Sequence, residues 1–70
     1  GYYYLAKLYM DQGDLARAEA LARNGISKDP DGHAGPLGYY VLADVLNRTG
    51  RSAEAQEALA NGRAVDPRTG

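Results

Sequence analysis

The sequence predicts an all-α fold in which two antiparallel helix-turn-helix hairpins stack side by side as an α-solenoid. Three observations support this prediction. The segment GDLARAEALA, residues 13–22, returns 37 positions later in the related segment GRSAEAQEALA. In both copies apolar residues recur at the spacing of one helix face, and in both copies a glycine interrupts the pattern, as a turn between two helices requires.

An internal repeat accounts for most of the chain. A shift of the sequence by 37 residues brings positions of the same identity or size class together along its whole length. The coinciding pairs are Tyr2 and Tyr39, Leu5 and Leu42, Ala6 and Ala43, Tyr9 and Leu46, Gly13 and Gly50, Ala18 and Ala55, Asn24 and Asn61, Gly25 and Gly62, Asp29 and Asp66, and Pro30 and Pro67. The repeat places the first hairpin at residues 1–30, a link at 31–37, the second hairpin at 38–67 and a tail at 68–70.

The first helix of each hairpin carries apolar residues at positions i, i+3, i+4 and i+7, which share one helix face. The residues predicted to face the core are Tyr2, Leu5, Ala6 and Tyr9 in the first copy and Tyr39, Leu42, Ala43 and Leu46 in the second. Gly13 and Gly50 follow these helices and can adopt the left-handed conformation that ends a helix. Asp14 and Ser52 are predicted to cap the next helices, each cap contributing about 1 kcal/mol.

The second helices carry alanine where the two helices of a hairpin are expected to touch. Small side chains allow close approach, and the predicted seam consists of Ala18, Ala22, Ala55 and Ala58. Gly25 and Gly62 cost about 1 kcal/mol each inside a helix relative to alanine. We interpret them as sites of close packing, with an early helix end as the alternative. Pro30 and Pro67 end the second helices, and Pro36 suits the first position of the third helix.

These residues resemble the tetratricopeptide repeat, whose pattern is aromatic-x2-Leu-Gly-x2-Tyr, then Ala-x3-aromatic, then Pro. The matching residues are Tyr2, Leu5, Ala6, Tyr9, Ala18, Ala22 and Pro30, then Tyr39, Leu42, Ala43, Leu46, Ala55, Leu59 and Pro67. Alanine replaces the pattern's glycine at 6 and 43, and Ala22 is smaller than the usual aromatic residue. The family spacing is about 34 residues, so the segment DPDGHAGPLG contains the extra residues and leaves the angle between hairpins open.

The resemblance implies a protein-interaction scaffold. In similar repeats the first helices line a concave groove that receives a peptide or a helix of a partner protein. The groove candidates, one helical step beside the core stripe, are Tyr3, Lys7, Met10, Tyr40, Asp44 and Asn47. A different interpretation makes these residues ordinary solvated or packing positions. The two-lysine clamp with which some family members bind C-terminal carboxylates is absent, since Tyr3 with Lys7 and Tyr40 with Asp44 occupy those positions.

The alternative function is structural. Arrays of such repeats need three or more units and a capping helix. We therefore expect either a fragment of a longer array or a unit that completes itself by pairing, as a homo-oligomer through uncapped repeat ends. The charged residues of the second helices are expected on a solvated outer surface with weak ion pairs; they are Arg17, Glu19, Arg23, Arg51, Glu54, Glu57 and Arg63.

Several function classes are disfavoured by composition. A net charge of −1 without charge runs disfavours nucleic-acid binding, and no apolar run is long enough to cross a membrane. Tyr2, Tyr3 and Tyr4 diverge by about 100° each on a helix and cannot form one stacking platform. His33 has no second histidine or cysteine for a metal site. No catalytic motif or cofactor site is expected. The absence of cysteine fits a reducing compartment such as the cytoplasm, and an exported protein is the alternative, because many exported proteins also do without disulfides. The richness in Ala, Gly and Arg is similar to that of many bacterial repeat proteins.

Overall fold

The computed structural model describes residues 2–33 and 35–68, with the side chain of Tyr2 outside the described part. These residues form four α-helices and no strand: α1 (Tyr2–Asp11), α2 (Leu15–Lys28), α3 (Leu37–Arg48) and α4 (Ser52–Val65). Each helix packs against the next along the chain, so that α1 and α2 form one hairpin, α3 and α4 form the other, and α2 contacts α3 between them. The all-α prediction of two stacked hairpins is confirmed.

The turns inside the two hairpins follow the sequence prediction in part. Gly13 and Gly50 have φ angles of 84° and 77°, the left-handed conformation expected after a helix. Asp14 caps α2, and its Oδ1 accepts a hydrogen bond from the backbone N–H of Arg17 at 3.1 Å. The predicted cap at Ser52 is wrong, because Ser52 is already helical and the N-cap of α4 is Arg51, which makes no side-chain cap bond. Repeat symmetry explains this, since Arg51 and not Ser52 occupies the position equivalent to Asp14.

The link between the hairpins is compact. Asp29 Oδ1 accepts the backbone N–H of His33 at 2.9 Å, and Gly32 N–H donates to the Asp29 carbonyl at 3.0 Å. Pro36 was expected as the first helical residue, but it is the N-cap of α3, which begins one residue later at Leu37.

The alanine seam forms as predicted. Ala18, Ala22 and Ala55 are 0% exposed and Ala58 is 4% exposed, and all of them belong to the core. The larger core residues come mainly from α3, where Val45 and Leu46 are almost completely buried. The third helix therefore lies at the centre of the molecule, covered by α2 on one side and α4 on the other.

The two helical glycines provide close contacts, and the alternative of an early helix end is wrong. The helices continue through Gly25 and Gly62 to Lys28 and Val65. A Cβ at Gly25 would lie 2.6 Å from Cε1 of Tyr3, and one at Gly62 would lie 2.5 Å from Cε1 of Tyr40. A tyrosine from the first helix of each hairpin thus fills the space that glycine leaves on the second helix.

One predicted core residue lies at the surface. Leu5 is 46% exposed, whereas its repeat equivalent Leu42 is 6% exposed. The physical reason is that α2 covers this face of α3, while within the described residues no helix covers the equivalent face of α1. The core prediction for the Tyr2 side chain lies outside the described residues.

Candidate peptide-binding surface

The stack is narrower on the side of the first helices. Among the described residues the backbones of α1 and α3 approach each other, with Cα atoms within 8 Å, whereas no Cα atoms of α2 and α4 come this close. The first helices therefore lie on the inner side of the bend between the hairpins, and the second helices diverge on the outer side. We call the surface of α1 and α3 on this side the inner surface.

Three of the six groove candidates are exposed. They are Lys7 on α1 and Asp44 and Asn47 on α3. Lys7 and Asp44 are equivalent by the repeat, so neighbouring helices present opposite charges at the same position. The Asp44 carboxylate accepts a hydrogen bond from Arg48 Nε at 3.0 Å, with both side chains about half exposed. Met10 is 5% exposed and belongs to the core, so its assignment to an exposed groove is corrected.

Tyr3 and Tyr40 are half-buried and connect helices. The Tyr3 ring lies between Gly25 and Gly38, where added Cβ atoms would approach it to 2.6 and 2.7 Å. Burial, followed by the nearby Asp29 charge, raises the pKa of Tyr3. The Tyr40 hydroxyl donates to Asp66 Oδ2 at 2.9 Å, and desolvation together with this carboxylate raises the pKa of Tyr40. Both rings primarily position the helix backbones behind the inner surface.

Asp66 is a buried carboxylate that sequence reasoning missed. Its side chain is 4% exposed and accepts from Arg68 Nη2 at 2.8 Å and from the Arg68 backbone N–H at 2.9 Å. The Arg68 guanidinium and backbone N–H hold the pKa of Asp66 well below its usual range. One sequence pattern could have pointed to Asp66. Tyr3 recurs as Tyr40 and Asp29 recurs as Asp66, both 37 residues later.

An ion-pair network joins the hairpins on the outer side. Nη1 and Nη2 of Arg51 donate to the Glu19 carboxylate, and Arg23 Nε donates to the same carboxylate at 2.9 Å. Arg23 also approaches Glu54 of α4 at 3.7 Å. The hydrogen bond from Arg51 is the main cause of a lowered pKa at Glu19. Because the Glu19 side chain is only 18% exposed, its assignment to a freely solvated outer surface is corrected.

An outer cleft lies between the diverging second helices, above α3. It has a volume of about 310 Å³, and its lining residues are Arg23, Ile26, Ser27, Tyr39, Leu42, Leu46, Glu54, Glu57, Ala58 and Asn61. The apolar lining comes from α3, Ile26 and Ala58, and the charged groups stand on the flanking helices. This cleft could not be predicted from the sequence, because its walls are separated along the chain.

The helical hairpins, the alanine seam and the tyrosine-on-glycine contacts recur in both halves of the chain. The sequence profile described as Tetratricopeptide repeat matches residues 9–69. The chain belongs to the tetratricopeptide repeat family. Comparisons with curated proteins and with solved structures gave no significant match. Tetratricopeptide repeats generally mediate protein–protein interactions and generally act as non-catalytic scaffolds.

Within residues 2–33 and 35–68 no group of three or more His, Cys, Asp or Glu side chains is placed to hold a metal ion. His33 Nε2 lies 3.7 Å from Asp31, and both side chains are largely exposed. None of the four helices in the described part combines the length and the apolar character needed to span a bilayer.

Proposed function

We propose that this tetratricopeptide repeat segment is an interaction scaffold that binds a peptide or helix of a partner protein along the inner surface. The observation that carries the proposal is the exposure of Lys7 and Asp44 at equivalent positions on adjacent helices, with Asn47 one turn further along α3. Behind them the half-buried Tyr3 packs against Gly38 of α3, and the half-buried Tyr40 packs against Gly62 of α4.

The exposed groups suit recognition of a polypeptide. The Lys7 ammonium can donate to a carboxylate or a backbone carbonyl of the partner, and the Asn47 amide can both donate to and accept from a peptide group. Asp44 and Arg48 form an exposed pair whose internal attraction is weak. A partner can therefore replace that contact at little cost and pair with either charge. Binding would be polar at these positions.

The test starts from peptides selected from a library of random linear sequences against the folded chain. Lys7→Glu and Asn47→Ala are expected to weaken selected peptides at least about fivefold, because each removes a contact on the inner surface. Ala20→Glu, which adds one negative charge, and Gln56→Ala, which truncates an exposed amide, are the controls on the second helices. Unchanged helicity by circular dichroism excludes unfolding. Equal weakening by the controls would argue against the inner surface.

A second candidate function is packing or self-association of the segment within a larger repeat assembly. The observation that favours it is the exposed apolar face of α1, where Tyr4, Leu5 and Leu8 are 69%, 46% and 38% exposed. Sedimentation velocity over a range of concentrations would detect self-association. Leu5→Lys together with Leu8→Lys would abolish it if this face is the contact. A chain that stays monomeric at all concentrations would argue against pairing.

A further inference from the structure

The outer cleft recurs in incomplete form on the first hairpin. A second depression is lined by Tyr9, Arg17, Ala20, Leu21 and Asn24. Their equivalents 37 residues later are Leu46, Glu54, Glu57, Ala58 and Asn61, and all of these equivalents line the outer cleft. The same surface of each hairpin thus forms a concavity, and in the second hairpin α2 adds another wall through Arg23, Ile26 and Ser27.

The two concavities differ in charge. In the first hairpin the Arg17 guanidinium lies over the Tyr9 ring, 5.7 Å from its centroid, and no acidic residue belongs to the lining. In the second hairpin the equivalent positions carry Glu54 and, in place of Ala20, Glu57. Arg23 already pairs with Glu19 and Glu54. Glu57 is exposed and makes no hydrogen bond or ion pair within the described residues, so the rim of the outer cleft has one carboxylate in excess.

We propose that the outer cleft is a second docking site, for a partner polypeptide that inserts one bulky apolar side chain and carries an adjacent lysine or arginine. The apolar side chain lies against Ile26, Tyr39 and Leu42, and the cation pairs with Glu57. The volume of about 310 Å³ is at the lower end of the range for ligand pockets, about 300–1,000 Å³. This size suits a single side chain. The proposal is independent of peptide binding on the inner surface.

The experiment uses three small probes in place of the unidentified partner: the capped dipeptide amides acetyl-Trp-Lys, acetyl-Trp-Glu and acetyl-Gly-Lys. Methyl NMR signals of the chain are followed during titration. We expect saturable shifts at Ile26, Leu42 and Leu46 with acetyl-Trp-Lys. Acetyl-Trp-Glu should bind about two- to fivefold more weakly, the range for an exposed ion pair. Acetyl-Gly-Lys should give no saturable shift, because it has no apolar side chain to bury.

Matched variants locate the site. Asn61→Trp fills the cleft mouth and should abolish the shifts, while Asn24→Trp at the equivalent position of the first hairpin should preserve them. Ser27→Phe on the opposite wall gives an independent block, and circular dichroism verifies folding of each variant. Glu57→Gln should remove the preference for the lysine probe, and Asp11→Asn, an exposed carboxylate outside the cleft, should retain it.

The proposal fails if the lysine and glutamate probes bind equally. It also fails if both folded blocking variants still bind acetyl-Trp-Lys like the unmodified chain. Shifts centred on the depression of the first hairpin would likewise overturn it, since that site lacks the acidic rim.

Discussion

The first helices of the two hairpins have closely related sequences but very different surroundings. On α1, Tyr4, Leu5 and Leu8 are 69%, 46% and 38% exposed; their equivalents on α3, Val41, Leu42 and Val45, are 5%, 6% and 0% exposed. The backbone conformation is the same in both helices. The difference arises because α2 packs on α3 while no described helix packs on that face of α1. An amphipathic pattern therefore identifies faces that can be buried, and the neighbouring helix decides which of them are buried.

A second difference concerns the turn before each second helix. Asp14 caps α2 locally, whereas Arg51 at the equivalent position reaches back to Glu19 on the first hairpin. A charge reversal at one repeat position has exchanged a local cap for a contact between hairpins. The same repeat position thus stabilises the first hairpin in one copy, through Asp14, and the contact between the hairpins in the other, through Arg51.

The largest expected effect distinguishes the two leucines of the repeat. Leu42→Ala removes a buried side chain and leaves a cavity, which costs about 2–5 kcal/mol. Leu5→Ala should cost less than about 1 kcal/mol, because nearly half of Leu5 already contacts solvent. Urea unfolding followed by circular dichroism measures both changes. Equal losses at the two positions would mean that the α1 face is covered in solution, and repeating the measurement at higher dilution would then identify a self-contact.

The next effect tests the tyrosine-on-glycine contacts. Gly25→Ala would gain about 1 kcal/mol of helix propensity, but its Cβ would collide with a Tyr3 ring that Gly38 confines from the other side. Overpacking of this kind costs about 1–3 kcal/mol, so after the propensity gain we expect net destabilisation of up to about 2 kcal/mol. Gly62→Ala should cost less, because Tyr40 has no second glycine among the nearest contacts described.

The control for this prediction is a smaller side chain at position 3. In a Tyr3→Leu background Gly25→Ala should become neutral or stabilising, since the propensity gain remains and the collision is removed. Thermal unfolding of the four chains of this double-mutant cycle measures the coupling. No coupling between the two substitutions would contradict the packing role of the glycine.

A smaller effect comes from the ion pair between the hairpins. A double-mutant cycle on Glu19 and Arg51 should give a coupling of about 1 kcal/mol, at the upper end for ion pairs because Glu19 is largely buried. The pair Asp44 and Arg48, exposed and within one helix, serves as the control, with an expected coupling of about 0.3–0.5 kcal/mol. Similar coupling in both cycles would mean that the burial of Glu19 adds no strength to this contact between the hairpins.

The features predictable from sequence were the local ones. Hairpin order, the left-handed turns at Gly13 and Gly50 and the seam at Ala18 and Ala55 follow from spacing, backbone freedom and side-chain size, which each segment carries by itself. The cap at Ser52 was misplaced by one residue because an oxygen-bearing side chain was preferred over strict repeat register. Register alone would have identified Arg51.

The features that the sequence did not predict depend on which helices become neighbours. Met10 and its equivalent Asn47 differ in polarity, and only the folded chain shows that one belongs to the core and the other to the inner surface. The outer cleft requires α2 and α4 to diverge, which depends on the packing angle between hairpins. That angle was left open by the unusual length of the link.

The smallest expected effect concerns the pH dependence of stability at the end of the second hairpin. Arg68 and Tyr40 hold the pKa of the Asp66 carboxyl well below its value in the unfolded chain, about 4. A depressed folded-state pKa stabilises the protein above the unfolded pKa, and this contribution is lost as the pH falls towards the folded-state value. The effect is modest because Arg68 is 77% exposed and its charge is screened by solvent.

Asp66→Asn tests this contribution, because asparagine keeps an acceptor for the Tyr40 hydroxyl but removes the titrating group. The free energy of unfolding of this variant, measured by urea titration at a series of pH values, should fall less steeply than that of the unmodified chain below about pH 4. Asp11→Asn changes the net charge equally at an exposed position on the first hairpin and controls for that change. An unaltered acid slope in Asp66→Asn would mean that the Asp66 carboxylate has the same pKa in the folded and unfolded chain. The contact between Tyr40 and Asp66 would then position the first helix of its hairpin through hydrogen bonding alone, without a contribution from charge.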